Sequence, residues 1–350
     1  MEKVLIVAPS WLGDLVIAQS LFKKLYKDGC EIHVAAPNWN KDILNFMPEV
    51  KSTILLPFEH GELSLLKRYK FAKTLSCKKY DKSIILPNSL KSALLPYFAN
   101  IPNRVGYIKE GRGIFLTDRR KLNKEFLPLM VQRFNYLGEQ EKKLSSIINV
   151  NKEYYPKLDT SNINYNLLQE KFNINFSLGN SIAIAPGAAF GPAKRWPKKY
   201  YAHVAKEYLN KGFNLFIVGA SQDSNTAQNI IDIINVNNNY NDKIYNLTGK
   251  LSLTETVSVL AKSTFLITND SGLMHVAAAL NLAAVAIYGS TSQKFTPPLN
   301  DKCVALYDNN ISCRPCFART CKYGHYKCLY KITPDMVLRE LDKYSNRLGS

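Results

Sequence analysis

Residues 4–26 read VLIVAPSWLGDLVIAQSLFKKLY, and this stretch decides the fold class. Its first part, residues 4–8, is a short β-branched apolar run, which is typical of a buried parallel strand. After a loop, residues 15–26 carry apolar side chains at helical spacing on one face. A strand, a loop and a helix in this order begin a βαβ unit, so we expect an α/β protein.

Similar units follow along the chain. Further strands are predicted at 32–36, 53–57, 83–87, 182–185, 214–218, 265–268 and 284–288, with helices starting near Lys198, Asp223, Ser252 and Ser271. Residues 151–180 are polar and asparagine-rich around a weak helix, 165–172. We therefore predict two doubly wound Rossmann-like domains facing a cleft, 1–175 and 176–332, and a closing helix, 333–350. Ligands should bind beyond the carboxyl ends of the strands.

The composition fits two domains and indicates an intracellular protein. At 350 residues and 46% hydrophobic content, the chain can fill two cores. No run of 18 apolar residues is present, and the first residues are too short an apolar run for a signal peptide. Four of the seven cysteines are crowded near the end of the chain, whereas a small disulfide-bonded secreted protein has them spread along its sequence. We therefore expect reduced thiols in the cytoplasm.

The formal charge of +18, from 46 Lys and Arg against 28 Asp and Glu, has two readings. It attracts polyanions such as nucleic acid, anionic lipid or phosphorylated glycan. It also fits an AT-biased genome, which enriches lysine and asparagine. No recognition helix, zinc-finger spacing or aromatic-basic repeat accompanies the charge, so we expect no nucleic-acid partner.

The loop at residues 8–14 lacks the G-x-G-x-x-G that cradles a pyrophosphate. Gly13 lets the backbone turn, and Asp14 lies at the entrance of the following helix. Asp14 is either an N-cap with no chemistry or a general base.

Three loops of the second half have features of a phosphate or nucleotide site. The loop 185–197 brings Lys194 and Arg195 to a helix start, which predicts anion binding. In the loop 268–275, Ser271 and Gly272 leave amides bare at a helix N-terminus, where the dipole favours a diphosphate. Asp270 either orients this loop, meets Lys194 or accepts sugar hydroxyls, and His275 either touches phosphate or packs. In the loop 219–223, Asp223 is a ribose ligand or an N-cap.

No metal and no cofactor are expected in this site. The sequence has no Asp-x-Asp pair, a common holder of a divalent cation on a nucleotide sugar. Helix-terminus amides and Lys194 must then stabilise a leaving diphosphate. Separately, Cys313, Cys316, Cys321 and Cys328 have the spacing C-x2-C-x4-C-x6-C, which is compatible with a structural metal, with reduced thiols or with a disulfide.

Several long motifs together resemble the ADP-heptose:lipopolysaccharide heptosyltransferases of glycosyltransferase family 9, and most closely their heptosyltransferase II branch. The motifs are PSWLGD at 9–14, PGAAFGPAKRWP at 186–197, NDSGLMHVAAAL at 269–280, YGSTS at 288–292, FTPPL at 295–299, CRPCF at 313–317 and GHYKCL at 324–329. The resemblance covers nearly the whole chain, and the motifs occur in the right order. The resemblance implies the GT-B fold, with an acceptor-binding N-terminal domain and an ADP-heptose-binding C-terminal domain.

The resemblance also implies the reaction. It is an inverting transfer of L-glycero-D-manno-heptose from ADP-heptose to the first heptose of heptosyl-Kdo2-lipid A, in core lipopolysaccharide biosynthesis of Gram-negative bacteria. Asp14 matches the catalytic base, and Lys194 the lysine that meets the donor phosphates. The donor-binding positions are Gly187, Ala188, Asp223, Leu251, Asp270, Ser271, Gly272, Leu273 and His275, with Asp223 on ribose and Leu251 on adenine. The acceptor-binding positions are Ser10, Trp11, Gly13 and Arg120.

The sequence departs from the family at two places. Ala188 and Ala189 stand where the heptosyltransferase I type has hydroxyl residues, so contacts there must be made by the main chain. The stretch 106–118, which should help to bind the acceptor, matches more loosely. Donor chemistry is therefore the firmer part of the resemblance.

The acceptor gives the positive charge a use, because Kdo carboxylates and lipid A phosphates lie at a membrane surface. We expect a monomer in the cytoplasm that makes peripheral contact with the anionic cytoplasmic face of the inner membrane. The candidate basic contacts are Lys67, Arg68, Lys70, Lys91, Arg104, Lys109, Arg112, Arg119 and Arg120. The alternatives are transfer to Kdo2-lipid A, as in heptosyltransferase I, and a nucleotide-sugar epimerase of the same fold.

Overall fold

The computed structural model describes residues 1–59, 61–139, 149–174, 176, 180–236 and 240–345. The chain divides into two compact units, Met1–Pro156 and Lys157–Ser350. The division after Pro156 comes earlier in the chain than the predicted domain boundary after residue 175. Residue 175 itself lies outside the described residues. The segment from Lys157 onward groups with the second unit, and the backbone N–H of Leu158 donates to the carbonyl of Ala279 (2.9 Å).

The first unit is a six-stranded parallel sheet with helices. Its strands are β1 (Lys3–Val7), β2 (Glu31–Pro37), β3 (Val50–Leu56), β4 (Lys82–Ile85), β5 (Asn103–Tyr107) and β6 (Asp118–Arg120), in the order β3-β2-β1-β4-β5-β6. Its described helices are α1 (Leu12–Lys27), α2 (Leu65–Ser76), α3 (Leu90–Phe98) and α4 (Met130–Gly138), and its described 3₁₀ turns are Lys41–Phe46, Arg112–Phe115 and Lys152–Tyr154.

The second unit repeats this topology. Its strands are β7 (Ser181–Ala185), β8 (Asn214–Ile217), β9 (Ile244–Asn246), β10 (Phe265–Asn269), β11 (Ala283–Ile287) and β12 (Cys303–Leu306), in the order β12-β11-β10-β7-β8-β9. Its helices are α5 (Tyr165–Phe172), α6 (Lys198–Asn210), α7 (Ser224–Asn235), α8 (Leu253–Ala261), α9 (Gly272–Ala279), α10 (Lys327–Tyr330) and α11 (Pro334–Ser345). The described 3₁₀ turns of this unit are Pro192–Lys194, Ser221–Asp223 and Asn241–Lys243.

The predicted α/β class with two doubly wound sheets is confirmed. The apolar stripe of α1 is buried as its spacing predicts, and α5 has the predicted bounds. Helix α11, predicted from Thr333 onward, packs Val337 and Leu341 into the core of the second unit; residues 346–350 lie outside the described residues.

Both sheets have a switch point where the strand order reverses, between β1 and β4 and between β7 and β10. In open parallel sheets the ligand binds outside the carboxyl ends of the strands at this point. The loop before Asp14 follows β1, whereas the loops that carry Lys194 and Ser271 follow β7 and β10. The fold thus brings the Lys194 and Ser271 loops side by side within one unit.

In the part of the chain that the structure describes, no helix combines the length and apolarity that crossing a bilayer requires.

Candidate active site

The partly exposed Lys194 and the buried Asp270 form an ion pair at the switch point of the second unit. The Lys194 ammonium lies 2.7 Å from the Asp270 carboxylate and donates to the Asp270 carbonyl oxygen at 3.1 Å. The hydroxyl of Thr291 donates to the same carboxylate at 2.5 Å. Of the roles that the sequence left open for Asp270, the structure gives it contact with Lys194, so the ammonium is held at the end of the sheet.

Asn269 joins the two loops of this switch point. Its side-chain amide donates to the carbonyls of Pro186 (2.8 Å) and Gly187 (3.1 Å), and its side-chain oxygen accepts from the backbone N–H of Trp196 (2.9 Å). Asn269 is fully buried, so these bonds do not compete with water. Asn269 was not predicted as a site residue, although its position at the end of a buried strand is a usable signal.

The N-terminus of α9 presents backbone amides beside Lys194. Ser271 is the N-cap residue, in extended conformation and without a side-chain cap bond. Gly272 and Leu273 are the first two helical residues, whose N–H groups have no acceptor four residues earlier in a helix. These three residues are partly exposed. The loop therefore offers amide donors and the helix dipole to an anion, next to the ammonium.

His275 is buried in α9. Burial lowers the pKa of His275 to about 4, while Asp270 raises it and Lys194 lowers it further. The imidazole is therefore neutral near pH 7. A neutral imidazole has no charge to pair with a phosphate, although its N–H could still donate a hydrogen bond. Of its two predicted roles, packing is therefore favoured over phosphate contact.

Asp223 packs against the glycines of two neighbouring loops. Its carboxylate accepts the backbone N–H of Ala220 (3.1 Å), and a Cβ on Gly187 would lie 2.1 Å from its Oδ2. Asp223 is also the residue before α7, but its side chain makes no cap bond to that helix. The acid is thus directed to the carboxyl edge of the sheet, where the sequence predicts a ribose contact.

Leu251 lies in the loop after β9, which is attached to the loop after β8. The N–H of Gly249 donates to the carbonyl of Gly219 (2.9 Å), and Gly249 adopts a left-handed conformation against Ser221. Leu251 is partly exposed. Together with Ala188, whose carbonyl accepts from the Arg195 guanidinium (3.5 Å), it completes the predicted donor positions on one edge of the second unit.

The cysteine-rich segment packs directly on the loop that carries Lys194. The N–H of Ala193 donates to the carbonyl of Arg319 (3.0 Å), and that of Phe317 donates to the carbonyl of Ser290 (2.8 Å). A Cβ on Gly191 would lie 2.5 Å from the Arg319 carbonyl oxygen. The segment therefore supports the loop that carries Lys194, a role that the sequence pattern did not indicate.

The four clustered cysteines line one cavity of this segment, together with His325. All four are free thiols in the structure. Backbone N–H groups, foremost that of Tyr326, lower the pKa of the Cys321 thiol. Within the described ranges, no group of three or more His, Cys, Asp or Glu side chains is arranged to hold a metal ion.

In the first unit, Asp14 lies in the first turn of α1. It is the third helical residue, and the N-cap position belongs to Trp11, so Asp14 is not the cap that one reading predicted. Gly13 is buried beneath it. The side chains of Trp39 and Asn40, just after β2, donate to the carbonyl of Ser10 (2.9 and 3.3 Å).

Trp39 is a further residue that the sequence analysis missed. Like Trp11 it is about half exposed, so two indole rings flank the loop before Asp14. Exposed tryptophans at the end of a parallel sheet are unusual for a residue type that is normally well buried. They fit a surface that stacks on a sugar ring.

Arg120 and Arg112 are buried and bonded within the first unit. Arg120 donates to the Asp118 carboxylate (2.7 Å) and to the carbonyls of Tyr136 and Glu139. Arg112 donates to the carbonyls of Tyr107 (2.7 Å) and Pro87, and burial lowers its pKa to about 10. These contacts favour structural roles for both guanidinium groups over the predicted acceptor contacts.

Comparison with known proteins places this geometry in a family. The family model described as glycosyltransferase family 9 (heptosyltransferase) matches residues 68–327. The chain is 38% identical to lipopolysaccharide heptosyltransferase 2 of Salmonella typhimurium over 99% of both chains, and 38% identical to that of Escherichia coli over 97% of both. The solved structure of E. coli ADP-heptose lipopolysaccharide heptosyltransferase II matches with a TM-score of 0.88 and 35% identity, over 99% of this chain and 100% of that one. These matches confirm the resemblance and the GT-B fold class.

Proposed function

The chain belongs to glycosyltransferase family 9, the heptosyltransferase family, and from this premise we propose that it transfers heptose from ADP-heptose to the first heptose of the lipopolysaccharide inner core. The observation that carries the proposal is the full-length likeness to heptosyltransferases 2, which includes the loops around Lys194 and Asp270. The transfer is inverting, and it needs no cofactor.

The donor diphosphate is bound by Lys194 and by the amides at Ser271, Gly272 and Leu273. As the bond between the sugar and ADP breaks, negative charge grows on the leaving phosphate, and preorganised donors stabilise it most at that moment. Asp270 holds the ammonium beside the α9 N-terminus (2.7 Å) and contacts the heptose. Neutral His275 backs this turn of the helix.

The ADP moiety lies along the carboxyl edge of the second sheet. Asp223 accepts the ribose hydroxyls, Leu251 packs against the adenine, and Gly187 and Ala188 approach the phosphates with their main chain. The close packing of the Asp223 carboxylate on Gly187 supports this, because only a glycine leaves room there.

Asp14 is the general base. Its carboxylate takes the proton of the acceptor hydroxyl, the hydroxyl oxygen forms the bond to the anomeric carbon, and ADP departs with the electron pair of the broken bond. The partly exposed position of Asp14 in the first turn of α1 supports this role. Ser10, Trp11 and Gly13 shape the acceptor side of the same loop.

The acceptor defines where the protein works. Heptosyl-Kdo2-lipid A carries carboxylates and phosphates at a bilayer surface, which suits a chain with a formal charge of +18. We place the protein as a monomer at the cytoplasmic face of the inner membrane, in peripheral contact with anionic lipid and without a nucleic-acid partner.

The proposal is tested by incubating the purified chain with ADP-heptose and heptosyl-Kdo2-lipid A without added divalent metal. We expect the acceptor mass to increase by one heptose, and Asp14→Asn to lower the rate by at least about a hundredfold, because the base contributes about 10² to 10⁴ in rate. Asp28→Asn, an exposed acid just after α1, is the matched control and should keep the wild-type rate.

Other outcomes of the same assay separate the alternatives. Transfer to Kdo2-lipid A in preference to the heptosylated acceptor would mean heptosyltransferase I activity. Isomerisation of ADP-heptose without any acceptor would mean an epimerase. Full activity of Asp14→Asn would remove Asp14 from the mechanism.

A further inference from the structure

One face of the first unit exposes large apolar side chains where a helix normally carries polar ones. Leu65, Leu66 and Tyr69 lie on the outward side of α2, and Leu66 is 78% exposed. The inward side of the same helix is served by Ala72 and Leu75, which are buried in the core. Leu65 and Leu66 are therefore not needed to pack α2 on the core.

Aromatic contacts extend this apolar region beyond α2. The ring of Tyr69 meets that of Phe98 at the end of α3 (5.5 Å), and the neighbouring Tyr97 meets Phe115 (5.0 Å). Tyr97 is itself exposed, and Ile114, beside Phe115, is 71% exposed. Exposed apolar residues scattered singly need no explanation, whereas a set joined in this way marks an interaction site.

Lysines are interleaved with the apolar residues. Residues 62–79 contain six basic side chains and one acidic side chain. Lys67, Lys70 and Lys73 are exposed on α2, and of these Lys67 forms an ion pair with Glu62 (3.4 Å). The Lys73 ammonium lies 5.1 Å from the centre of the Tyr69 ring, so charge and apolar surface are in direct contact.

The arginines of this region are used inside the unit and do not add to the surface. Arg68 is buried, donates to the carbonyls of Glu62 and Leu63, and stacks on Phe58 (4.0 Å). Arg104 donates to the carbonyl of Phe115 (2.7 Å). The outward charge therefore comes from lysines, whose long stems and terminal ammonium groups suit the lipid headgroup region.

We propose that this surface, defined as Leu65, Leu66, Tyr69, Tyr97 and Ile114 with Lys67, Lys70 and Lys73, docks the protein on an anionic lipid bilayer. This docking proposal rests on the proposed function, in which the acceptor is itself a membrane lipid. It identifies the part of the first unit that touches the membrane. The apolar side chains enter the boundary between headgroups and acyl chains, and the lysines pair with lipid phosphates.

Other occupants fit this chemistry less well. A polyanion such as duplex DNA would pair with the lysines but would leave the leucines in water. A second copy of the chain, related by a twofold axis, would bring the same lysines opposite one another, and like charges facing each other oppose association. A bilayer with anionic headgroups satisfies both components at once.

The test is sedimentation of the full-length chain with vesicles of phosphatidylcholine alone and of phosphatidylcholine with phosphatidylglycerol. We expect binding only to the anionic vesicles. Lys70→Glu/Lys73→Glu should lower the partition coefficient by about 30-fold or more, from the contribution of each lysine near an anionic surface. Leu65→Asn/Leu66→Asn should lower it by about tenfold or more, through lost apolar burial.

Matched variants on the second unit control for charge and for apolar loss. Lys302→Glu/Lys331→Glu makes the same change in net charge at exposed positions, and Leu167→Asn removes a leucine that is 63% exposed on α5. Both should bind anionic vesicles as the wild type does. If the two lysine pairs act alike, binding depends on net charge alone and the surface is not the docking site.

The readouts separate this proposal from the proposed function. ADP binding and heptose transfer to a deacylated, water-soluble acceptor should be unchanged in Leu65→Asn/Leu66→Asn, whereas transfer to the acceptor in vesicles should fall. Absence of transfer to either acceptor would contradict the function and leave vesicle binding measurable. Wild-type binding by the leucine variant, stronger binding to duplex DNA than to vesicles, or a dimer that the leucine variant abolishes would overturn the docking proposal.

Discussion

At the scale of single residues, the proposed donor site depends on the buried side-chain amide of Asn269 as much as on its charged residues. Asn269 bonds to three backbone groups in the loop after β7 and makes no ion pair. The loop spans Pro186 to Pro197 and has little regular structure apart from one 3₁₀ turn. Its shape, and hence the position of Lys194, therefore depends on bonds from the neighbouring strand.

His275 gives the folded chain a specific dependence on pH. Its pKa is about 4 in the folded chain and about 6.5 when unfolded, so between these values only the unfolded chain takes up a proton. Falling pH therefore favours unfolding. Between pH 7 and pH 5 this group should cost about 2 kcal/mol of the free energy of unfolding.

Urea denaturation at several pH values checks this. The loss of stability between pH 7 and pH 5 should be about 2 kcal/mol smaller in His275→Gln than in the wild type. His203→Gln, an exposed histidine on α6, should follow the wild type. If the free energy of unfolding changes equally with pH in the wild type and in His275→Gln, His275 has the same pKa in the folded and unfolded chains.

At the scale of elements, the cysteine-rich segment packs closely against the loop that carries Lys194. Gly191 has a φ of +150° and lies against the carbonyl of Arg319, and Gly289 lies against that of Ala193. Both neighbours are backbone atoms, which a rotamer change cannot move. Separation of the two segments is the only way to admit a larger residue at Gly191.

Gly191→Ala should therefore weaken donor binding. A Cβ at 2.5 Å from the Arg319 oxygen displaces the loop that carries Lys194, so we expect at least tenfold weaker binding of ADP by calorimetry. Gly212→Ala is the matched control, because Gly212 also has a positive φ (+88°) but has no neighbour within 4 Å. Both variants place a side chain at a positive φ, which costs about 1 to 3 kcal/mol of backbone strain. Equal ADP affinity in the two would mean that the segment does not position the loop.

At the scale of the whole molecule, the two units have separate sheets and separate cores. Ligand binding to one of them should then stabilise that unit first. ADP at a hundred times its dissociation constant stabilises the binding-competent state by about 2.7 kcal/mol.

Hydrogen exchange with and without ADP tests this division. Exchange should slow by up to about a hundredfold in residues 186–196, 219–223 and 270–275 of the second unit. Strands β1 and β4 of the first unit should change little. Equal protection of both sheets would contradict a donor site built by the second unit alone.

The sequence by itself determined the elements with a clear pattern of apolar residues, either a continuous run in a strand or one face of a helix. Residues 4–7 of β1 and all of β11 are continuous apolar runs, and α1 has a clear apolar stripe, so each could be predicted from local sequence. Strands β5, β6, β9 and β12 were not predicted. They are short and contain polar or small residues such as those of Asp118–Arg120, and their pairing partners make them strands.

The candidate site divides in the same way. The sequence predicts roles for Lys194, Asp223 and Ser271 from loops with glycine or lysine before a helix, because turn and anion-binding chemistry is local; these roles stay predictions. Only the tertiary structure decided that Asn269 bonds to the loop that carries Lys194 and that the Arg120 guanidinium bonds to groups within the first unit. It also decided which basic residues face outward on α2. Hydrogen-bond partners and burial depend on segments far apart in the chain, and no local pattern encodes them.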